Sequence, residues 1–314
     1  MTLRTDADLL VVGAGPAGVS AVLTATGLGL RTVLIEGDRV GTKLYAIGAL
    51  DNLAGGWSTG PQLAQALVGD VTRAVATGLC CVEYQRAVEI HAQDDRATVR
   101  LTDGRELNAP AVVVATGVRA MSLPDVSWLR APEDLKFPPL WEAQPTDLLR
   151  SRVAVVLGAD RPLGTWLRAH VEEQVSLRVL HPASDRYKTQ EVAGDHRVHL
   201  TAVTQASVEP LRGGFEVVAH HAAGESNTIH TEVVLMNVGS KPSAVSGLFS
   251  SKDGYCAPDA QHPRVLVAGD LAGPRMQRIA IAMGEGQRAA LVTYYRESGV
   301  GEPAAGLGDG GRGS

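Results

Sequence analysis

Cysteine is scarce in this sequence, and the few residues present are poorly spaced for a disulfide framework. Among the 314 residues there are three cysteines, of which Cys80 and Cys81 are adjacent and Cys256 stands alone. Small secreted domains that depend on disulfides need several pairs of cysteines. We therefore expect reduced thiols and predict a cytoplasmic protein.

Long apolar runs and an excess of positive charge are also missing. No stretch approaches the ~18 uninterrupted apolar residues that a membrane span needs, and residues 1–8 lack the positive flank of a signal peptide. The 34 acidic residues outnumber the 29 Lys and Arg, giving a formal net charge of −5. This balance argues against nucleic-acid binding. The nine scattered histidines form no metal-ligand set with the cysteines, so no metal site is predicted.

Glycine, by contrast, is abundant, with 35 residues, and three of them lie in an informative pattern near the start. Apolar residues 8–13 predict a buried strand, residues 19–28 a helix, and residues 31–36 a second strand. The GxGxxG turn between the first strand and the helix allows a tight turn, close approach of a pyrophosphate and close helix packing, while the carboxylate about 20 residues later accepts from ribose hydroxyls. We predict a dinucleotide site formed by Gly13, Gly15, Pro16, Ala17, Gly18 and Glu36.

The rest of the chain continues the alternation of helices and strands, and its length suggests two domains. Residues 121–146 look irregular, Asp103-Gly104 predicts a hairpin turn, and Gly-rich residues 301–314 predict a disordered tail. Helices are predicted over 61–79, 163–174 and 277–296. Further strands are predicted over 80–85, 87–93, 97–102, 111–117, 152–158, 177–181, 198–202, 206–211, 215–220, 232–238 and 264–270.

Three further short motifs stand later in the chain. Ala115-Thr116-Gly117 and Gly269-Asp270 each follow an apolar run, and Gln277-Arg278-Ile279 opens the final helix. As a set, these motifs resemble those of the low-molecular-weight thioredoxin reductases, which are class II pyridine nucleotide–disulfide oxidoreductases. The resemblance covers nearly the whole chain.

The resemblance implies an α/β fold of two Rossmann-like, three-layer domains, FAD as the cofactor, and a homodimer. It implies a discontinuous FAD domain (1–120 and 241–300) and a smaller NAD(P)-binding-like domain (121–240). Asp270 is expected beside the ribityl or pyrophosphate part of FAD, and the start of the final helix beside the pyrimidine edge. The residues that the resemblance adds to the expected cofactor site are Leu44, Asn52, Ala115, Thr116, Gly117, Gly269, Asp270, Gln277, Arg278 and Ile279.

The redox-active disulfide of these reductases has no counterpart here. Where the family carries Cys-x-x-Cys, this sequence reads Pro138-Pro-Leu-Trp141, and no cysteine lies between Cys81 and Cys256. Thiol–disulfide exchange needs one thiolate to attack and a second to resolve. Because Cys80 and Cys81 are adjacent, we expect them to be a buried structural pair. The sequence therefore assigns no catalytic residue.

The second glycine motif is altered as well. Gly158-Ala-Asp160-Arg-Pro-Leu163 places a charged side chain where the pyrophosphate would approach, and a large one where a small residue permits close helix packing. Arg186 and Lys188, after the next strand, either meet a phosphate or form a solvated charged turn. We expect NADPH binding by this domain to be impaired.

Three functions remain open at this point. The first is an FAD-dependent oxidoreductase without a redox disulfide and without normal NADPH binding, which receives electrons from a protein such as ferredoxin or from a small molecule. The second is an NADPH-dependent enzyme like the ferredoxin/flavodoxin reductases, and the third is a non-catalytic FAD-binding or regulatory protein. The sequence also leaves open whether Trp141 stacks near the flavin or anchors a linker, and whether Lys43 tunes the flavin or lies on the surface.

Overall fold

The computed structural model describes residues 7–299, which form five helices and eighteen strands. The helices are α1 (Pro16–Gly27), α2 (Gly60–Ala76), α3 (Pro145–Leu148), α4 (Pro162–Ala169) and α5 (Ile279–Glu297). The strands are β1 (Leu9–Val12), β2 (Thr32–Ile35), β3 (Cys80–Glu83), β4 (Ala87–Ala92), β5 (Ala97–Leu101), β6 (Glu106–Ala109), β7 (Val112–Val114), β8 (Val118–Ala120), β9 (Leu129–Arg130), β10 (Ala154–Leu157), β11 (Leu177–Pro182), β12 (Val198–Val203), β13 (Gln205–Leu211), β14 (Gly214–His220), β15 (Ser226–Thr231), β16 (Val234–Met236), β17 (Ser240–Pro242) and β18 (Val265–Val267). The predicted tail, 301–314, lies outside the described residues.

The described residues divide into two units. The first unit comprises residues 7–41, 66–117 and 242–299, and the second comprises 42–65 and 118–241. The segment 42–65, which the sequence analysis placed in the FAD domain, belongs to the second unit. There a Cβ on Gly48 would lie 3.3 Å from the Cβ of Ala169, and Asp51 forms a 3.6 Å ion pair with Arg168. These tertiary contacts with α4 have no sequence signal.

The first unit is built on a five-stranded parallel sheet in the order β18-β7-β1-β2-β3. The central strand β1 is buried along its whole length, which explains why Leu9–Val12 is continuously apolar rather than alternating. Helices α1 and α5 pack against each other, and an antiparallel sheet, β4-β5-β6, completes the unit. Gly104, at φ +86° between β5 and β6, confirms the predicted hairpin turn.

The second unit repeats the plan with a four-stranded parallel sheet in the order β12-β11-β10-β16. A second sheet, β15-β14-β13-β9, accompanies it. Successive side chains of β10 enter different apolar clusters: Val156 packs with Leu163 and Trp166, whereas Val155 and Leu157 pack with residues of β13 and β14. The predicted α/β class with two Rossmann-like units is confirmed.

Helix α4 is shorter than predicted because its carboxyl end is capped by a distant side chain. The sequence predicted a helix over 163–174, but α4 ends at Ala169. The guanidinium of Arg197, buried in the unit, donates to the carbonyl oxygens of His170 (2.5 Å) and Leu167 (3.2 Å). These bonds satisfy carbonyls that a longer helix would have paired internally.

No helix between residues 7 and 299 is long and apolar enough to cross a membrane.

Candidate dinucleotide-binding site

In the first glycine turn, Gly13–Gly18, two of the three glycines pack against backbone atoms and the third faces open space. Gly13 adopts φ +99°, and a Cβ there would lie 2.6 Å from the carbonyl oxygen of Ala115. A Cβ on Gly18 would lie 1.8 Å from the Gly13 carbonyl oxygen, so both glycines are required for packing. A Cβ on Gly15 would meet nothing within 4 Å. The turn therefore leaves free space at the glycine that a pyrophosphate would approach.

The open position leads directly into α1, which begins at Pro16 with Gly15 as its extended N-cap. Proline suits this position because its missing N–H would have no partner inside the helix. The first turn of α1 carries no acidic side chain, and no side chain caps it. Its positive dipole end and free N–H groups can therefore receive an anion. Ala17, the next residue, is buried.

Glu36, at the end of β2, is fixed beside this turn. Its Oε2 accepts a 2.7 Å hydrogen bond from the backbone N–H of Ala14, and its Oε1 accepts a 2.8 Å bond from the N–H of Asp38. A carboxylate has about four acceptor positions, so capacity remains for ribose hydroxyls. Glu36 thus orders the glycine turn, and its predicted role toward ribose hydroxyls stays a prediction.

The motif at the end of β7 lies beside the motif at the end of β18. Ala115 is buried, Thr116 donates through Oγ1 to the Ser243 carbonyl at 2.7 Å, and Gly117 adopts φ +60°. A Cβ on Gly117 would lie 3.9 Å from the Cβ of Asp270. Two motifs about 150 residues apart in the chain therefore meet at the carboxyl edge of one parallel sheet, where ligands of this fold class bind.

Gly269 and Asp270 line a cleft together with the start of α5. The backbone N–H of Gly269 donates to Oε2 of Glu285 at 2.7 Å. Sequence reasoning missed this role of Glu285, because the two residues are 16 positions apart and no local pattern joins them. The Glu285 carboxylate holds the turn that presents Asp270.

Gln277 holds the loop that leads into α5. Its side-chain amide donates to the carbonyls of Asp270 (3.2 Å) and Gly273 (3.1 Å). Arg278 is the exposed N-cap of α5, and Ile279 is its first residue. Met276, just before, is exposed at φ +65°. Gln277 is therefore a residue that positions the loop, while the backbone at 278–279 offers the helix N-terminus.

Leu44 and Asn52 belong to the segment 42–65 of the second unit. Leu44 is buried within a short 3-10 helix, and Asn52 is exposed. Lys43 donates to Oγ of Ser240 at 3.5 Å, also in the second unit. Trp141 is half-buried in the 3-10 turn Leu140–Glu142, next to the fully buried Leu140. Leu44 and Asn52 thus belong to the second unit, whereas the glycine turn Gly13–Gly18 belongs to the first.

The turn after β10 begins with a glycine in the same backbone conformation as Gly13, but different side chains follow it. Gly158 also adopts φ +99°, and a Cβ there would lie 2.3 Å from the carbonyl oxygen of Asn237. The buried Asn237 amide donates to the carbonyls of Asp160 (2.9 Å) and Gly158 (3.4 Å). Sequence reasoning missed Asn237, since nothing local marks it. Leu163 is 1% exposed and lies in the apolar core.

The charged segment after β11 contacts this turn. Lys188 Nζ lies 3.4 Å from Oδ1 of Asp160 and 3.3 Å from Oδ2 of Asp185. Burial alone would lower the pKa of Lys188, but the two carboxylates raise it above its usual value. Arg186 is exposed. Lys188 is therefore a largely buried cation paired with two carboxylates, rather than a solvated side chain.

The cysteines do not form the buried pair that the sequence analysis expected. Cys80 is buried, but Cys81 is exposed, because successive side chains of β3 point to opposite faces of the sheet. Burial raises the pKa of the Cys80 thiol to about 11 and raises that of Cys256, which is also buried.

Residues 7–299 contain no group of three or more His, Cys, Asp or Glu side chains that could hold a metal ion.

Comparison with known proteins agrees with this geometry. Residues 7–159 match the family model described as pyridine nucleotide-disulphide oxidoreductase. The chain is 27% identical over 309 residues to one of the subunits of alkyl hydroperoxide reductase in Pseudomonas putida and 25% identical over 316 residues to its counterpart in Pseudomonas aeruginosa. These matches cover 91% and 94% of this chain but only 57% and 59% of the relatives. The chain therefore spans less than two thirds of these relatives.

Solved structures show the fold. The thioredoxin reductase of Lactococcus lactis superposes with a TM-score of 0.71 at 18% identity, covering 92% of this chain and 98% of that one. The thioredoxin reductase of T. acidophilum gives a TM-score of 0.70 at 20% identity, covering 94% of this chain and all of that one (100%). At these identities the likeness concerns architecture.

Proposed function

We propose that this protein is an FAD-dependent oxidoreductase, because residues 7–159 match the family model described as pyridine nucleotide-disulphide oxidoreductase and the chain has the fold of thioredoxin reductases. Its flavin carries electrons without a redox-active disulfide and without ordinary NADPH binding in the second unit. The observation that carries the proposal is the contrast between the two glycine turns: Gly15 faces open space, whereas Asp160 is ion-paired to Lys188.

The first unit offers the groups that FAD requires. The N-terminus of α1 beyond Gly15 would receive the pyrophosphate, and the Glu36 carboxylate would accept from ribose hydroxyls. Asp270 lies beside Gly117, in the turn that Glu285 holds through the Gly269 N–H. Its carboxylate would contact the ribityl or pyrophosphate part of FAD. When bound, flavin would supply the capacity to store electrons and pass them on.

The start of α5 would tune the cofactor rather than carry electrons itself. The N–H groups of the first helical turn have no partners within the helix, and the helix dipole is positive there. No acidic side chain stands in this first turn to cancel that field. This end of the helix would therefore favour negative charge on the pyrimidine edge of the cofactor, with Gln277 fixing the loop in front.

The properties of the cysteines support a mechanism without disulfide exchange. The nucleophile in that exchange is a thiolate, yet burial raises the pKa of Cys80 to about 11 and also raises that of Cys256. Cys81 is exposed, but burial and the nearby Glu83 carboxylate raise its pKa as well. Electrons would instead come directly to the flavin from a protein such as ferredoxin or from a small molecule.

Anaerobic spectroscopy of the FAD-reconstituted protein tests the proposal. We expect one FAD per chain, bleaching of its visible band by dithionite and by reduced ferredoxin, and an oxidised band that persists with excess NADPH or NADH. Failure of the chain to bind FAD would overturn the cofactor assignment. Bleaching by NADPH at a rate that supports turnover would instead favour an NADPH-dependent ferredoxin/flavodoxin reductase. A flavin that only dithionite reduces would indicate a non-catalytic protein.

A further inference from the structure

The crevice of the second unit is defined by the order of its strands. In the sheet β12-β11-β10-β16, the chain runs from β10 to β11 on one side, while β16 lies on the other. In open parallel sheets the point where the strand order reverses is the ligand crevice, at the carboxyl ends of the strands. Here that crevice lies between the turn at Gly158, after β10, and the turn at Gly239, after β16.

The side chain of Asp160 occupies this crevice. A Cβ on Gly239 would lie 3.6 to 3.8 Å from the carboxylate atoms of Asp160, so the carboxylate rests over Gly239. The backbone of Asp160 is fixed there, since its N–H donates to the Asn237 carbonyl at 3.1 Å and its own carbonyl accepts from the Asn237 amide at 2.9 Å. The carboxylate therefore projects from the backbone position at which the first unit has the open Gly15.

Lys188, which follows the neighbouring strand β11, pairs with the Asp160 carboxylate in the crevice. Lys188 lies in the 3-10 segment Ala183–Glu191 that follows β11, and its Nζ contacts the carboxylates of both Asp160 and Asp185. The three charged side chains are only 18–23% exposed. Ion pairs with this degree of burial are screened less by salt than surface pairs are. Together these three side chains carry one net negative charge, and the Asp160 carboxylate would repel a phosphate that approached it.

We infer that the Asp160–Lys188 pair takes the place of a dinucleotide phosphate in this crevice, and that Asp160 is the residue that determines nucleotide exclusion. This exclusion deepens the proposed function, and only its consequence for catalysis rests on that proposal. With NADPH excluded from the second unit, electrons must reach the flavin from another donor. The Leu163 side chain lies in the apolar core, so it does not itself enter the crevice. Removal of the Asp160 side chain opens the turn and leaves Lys188, still paired with Asp185, as a cation beside the open space.

Binding titrations that do not involve the flavin test this inference. Isothermal titration calorimetry with NADP⁺ and 2′,5′-ADP, neither of which can reduce a flavin, would compare the full chain with Asp160→Gly and Asp160→Asn. We expect millimolar or weaker binding by the wild type, and a gain of about tenfold or more, equivalent to ~1.4 kcal/mol, in Asp160→Gly. Asp160→Asn removes the charge but keeps the volume, so it should gain less.

Two further variants make the result specific. Asp185→Asn also removes the net negative charge but leaves the Asp160 side chain in the crevice, so it should gain less affinity for NADP⁺ than Asp160→Gly. Asp160→Gly combined with Lys188→Ala should lose most of the affinity gained by Asp160→Gly.

The inference is overturned if the wild type already binds NADP⁺ tightly, or if neither Asp160 variant gains affinity while circular dichroism shows an intact fold. Should Asp160→Gly fail to fold, Asp160→Asn alone decides. Because the readout needs no FAD, failure here is distinguishable from failure of the flavin assignment.

Discussion

Gly286 on α5 lies against the carbonyl of Ala17 on α1, so closely that there is no room for a methyl group. A Cβ on Gly286 would lie 1.9 Å from the Ala17 oxygen, whereas a Cβ on Gly284 would meet nothing within 4 Å. A Cβ on Gly269 would lie 3.0 Å from the Ala17 Cβ. Ala17 is thus the common contact of α5 and the Gly269 turn, and it fixes both beside the start of α1.

This contact predicts opposite effects for two glycine-to-alanine changes in one helix. Gly286→Ala should lower the free energy of unfolding by about 1–3 kcal/mol, because overpacking forces the helices apart. Gly284→Ala should leave stability unchanged or raise it by up to ~1 kcal/mol, because alanine loses less entropy in a helix. Urea unfolding of both apoproteins measures the difference. Equal stability of the two variants would contradict the packing argument.

The open space at Gly15 predicts a loss of cofactor without a loss of fold. Gly15→Ala adds a methyl group where only a ligand would meet it, so the free energy of unfolding of the apoprotein should change by no more than about 0.5 kcal/mol. FAD affinity should fall by about tenfold or more, a change of ~1.4 kcal/mol. Gly27→Ala, at the other end of α1 and also without neighbours, is the control. FAD titrations of the two variants would agree if Gly15 did not face the cofactor.

Asn237 should be structurally important although no local signal marks it. Asn237→Ala removes the amide that donates to the Gly158 and Asp160 carbonyls, and unsatisfied buried groups cost about 1–3 kcal/mol. The exposed Asn227, whose amide contacts His221, provides the control as Asn227→Ala, with an expected change within ~0.5 kcal/mol. Chemical denaturation of both variants checks this. A destabilisation no larger than that of the control would show that the turn does not depend on Asn237.

Asp195 should make stability depend on pH in the acidic range. The hydrogen bond from the Arg197 side chain lowers the pKa of Asp195, and the pair contacts at 2.9 Å (Nε–Oδ1) and 2.6 Å (Nη2–Oδ2). Because the folded pKa lies below the unfolded value of about 3.9, this stabilisation is complete above that value. It is lost as the pH falls through the folded pKa.

We therefore expect Asp195→Asn to be less stable than the wild type at about pH 7, and the gap to narrow at about pH 3. Urea unfolding of both proteins at constant ionic strength provides the comparison, and taking the difference removes the contributions of other carboxylates. A gap of the same size at both pH values would refute the assignment.

The three cysteines should differ sharply in reactivity. The pKa values of all three thiols are raised by burial, but Cys81 is exposed, whereas Cys80 and Cys256 are buried. Iodoacetamide should modify Cys81 first in the native protein, faster as the pH rises toward the thiol pKa, and all three only after unfolding. Peptide mass spectrometry identifies the labelled residue, with Cys81→Ser as the unreactive control. Native labelling of Cys80 at the same rate would contradict the placement of β3.

Features with local causes were predictable. The apolar run of β1 and the close contact of Gly18 with the Gly13 carbonyl each have a cause within a few residues, and both were expected from the sequence. The opposite orientations of Cys80 and Cys81 also follow from strand geometry, although the sequence analysis treated them as one buried pair. The end of α4 was not predictable, because Arg197, which caps it, lies 27 residues after His170.

Residue type and spacing alone show that the chain has two strand–turn–helix units and that the second lacks the ordinary phosphate-binding glycine. The pairing of the charges, by contrast, depends on the fold. Glu285 of α5 reaches the Gly269 N–H in the first unit, and Lys188, after β11, reaches Asp160, after β10, in the second, because segments far apart in the chain pack together at the carboxyl edge of each parallel sheet. An ion pair between residues 28 positions apart depends on that convergence, and no spacing rule predicts it.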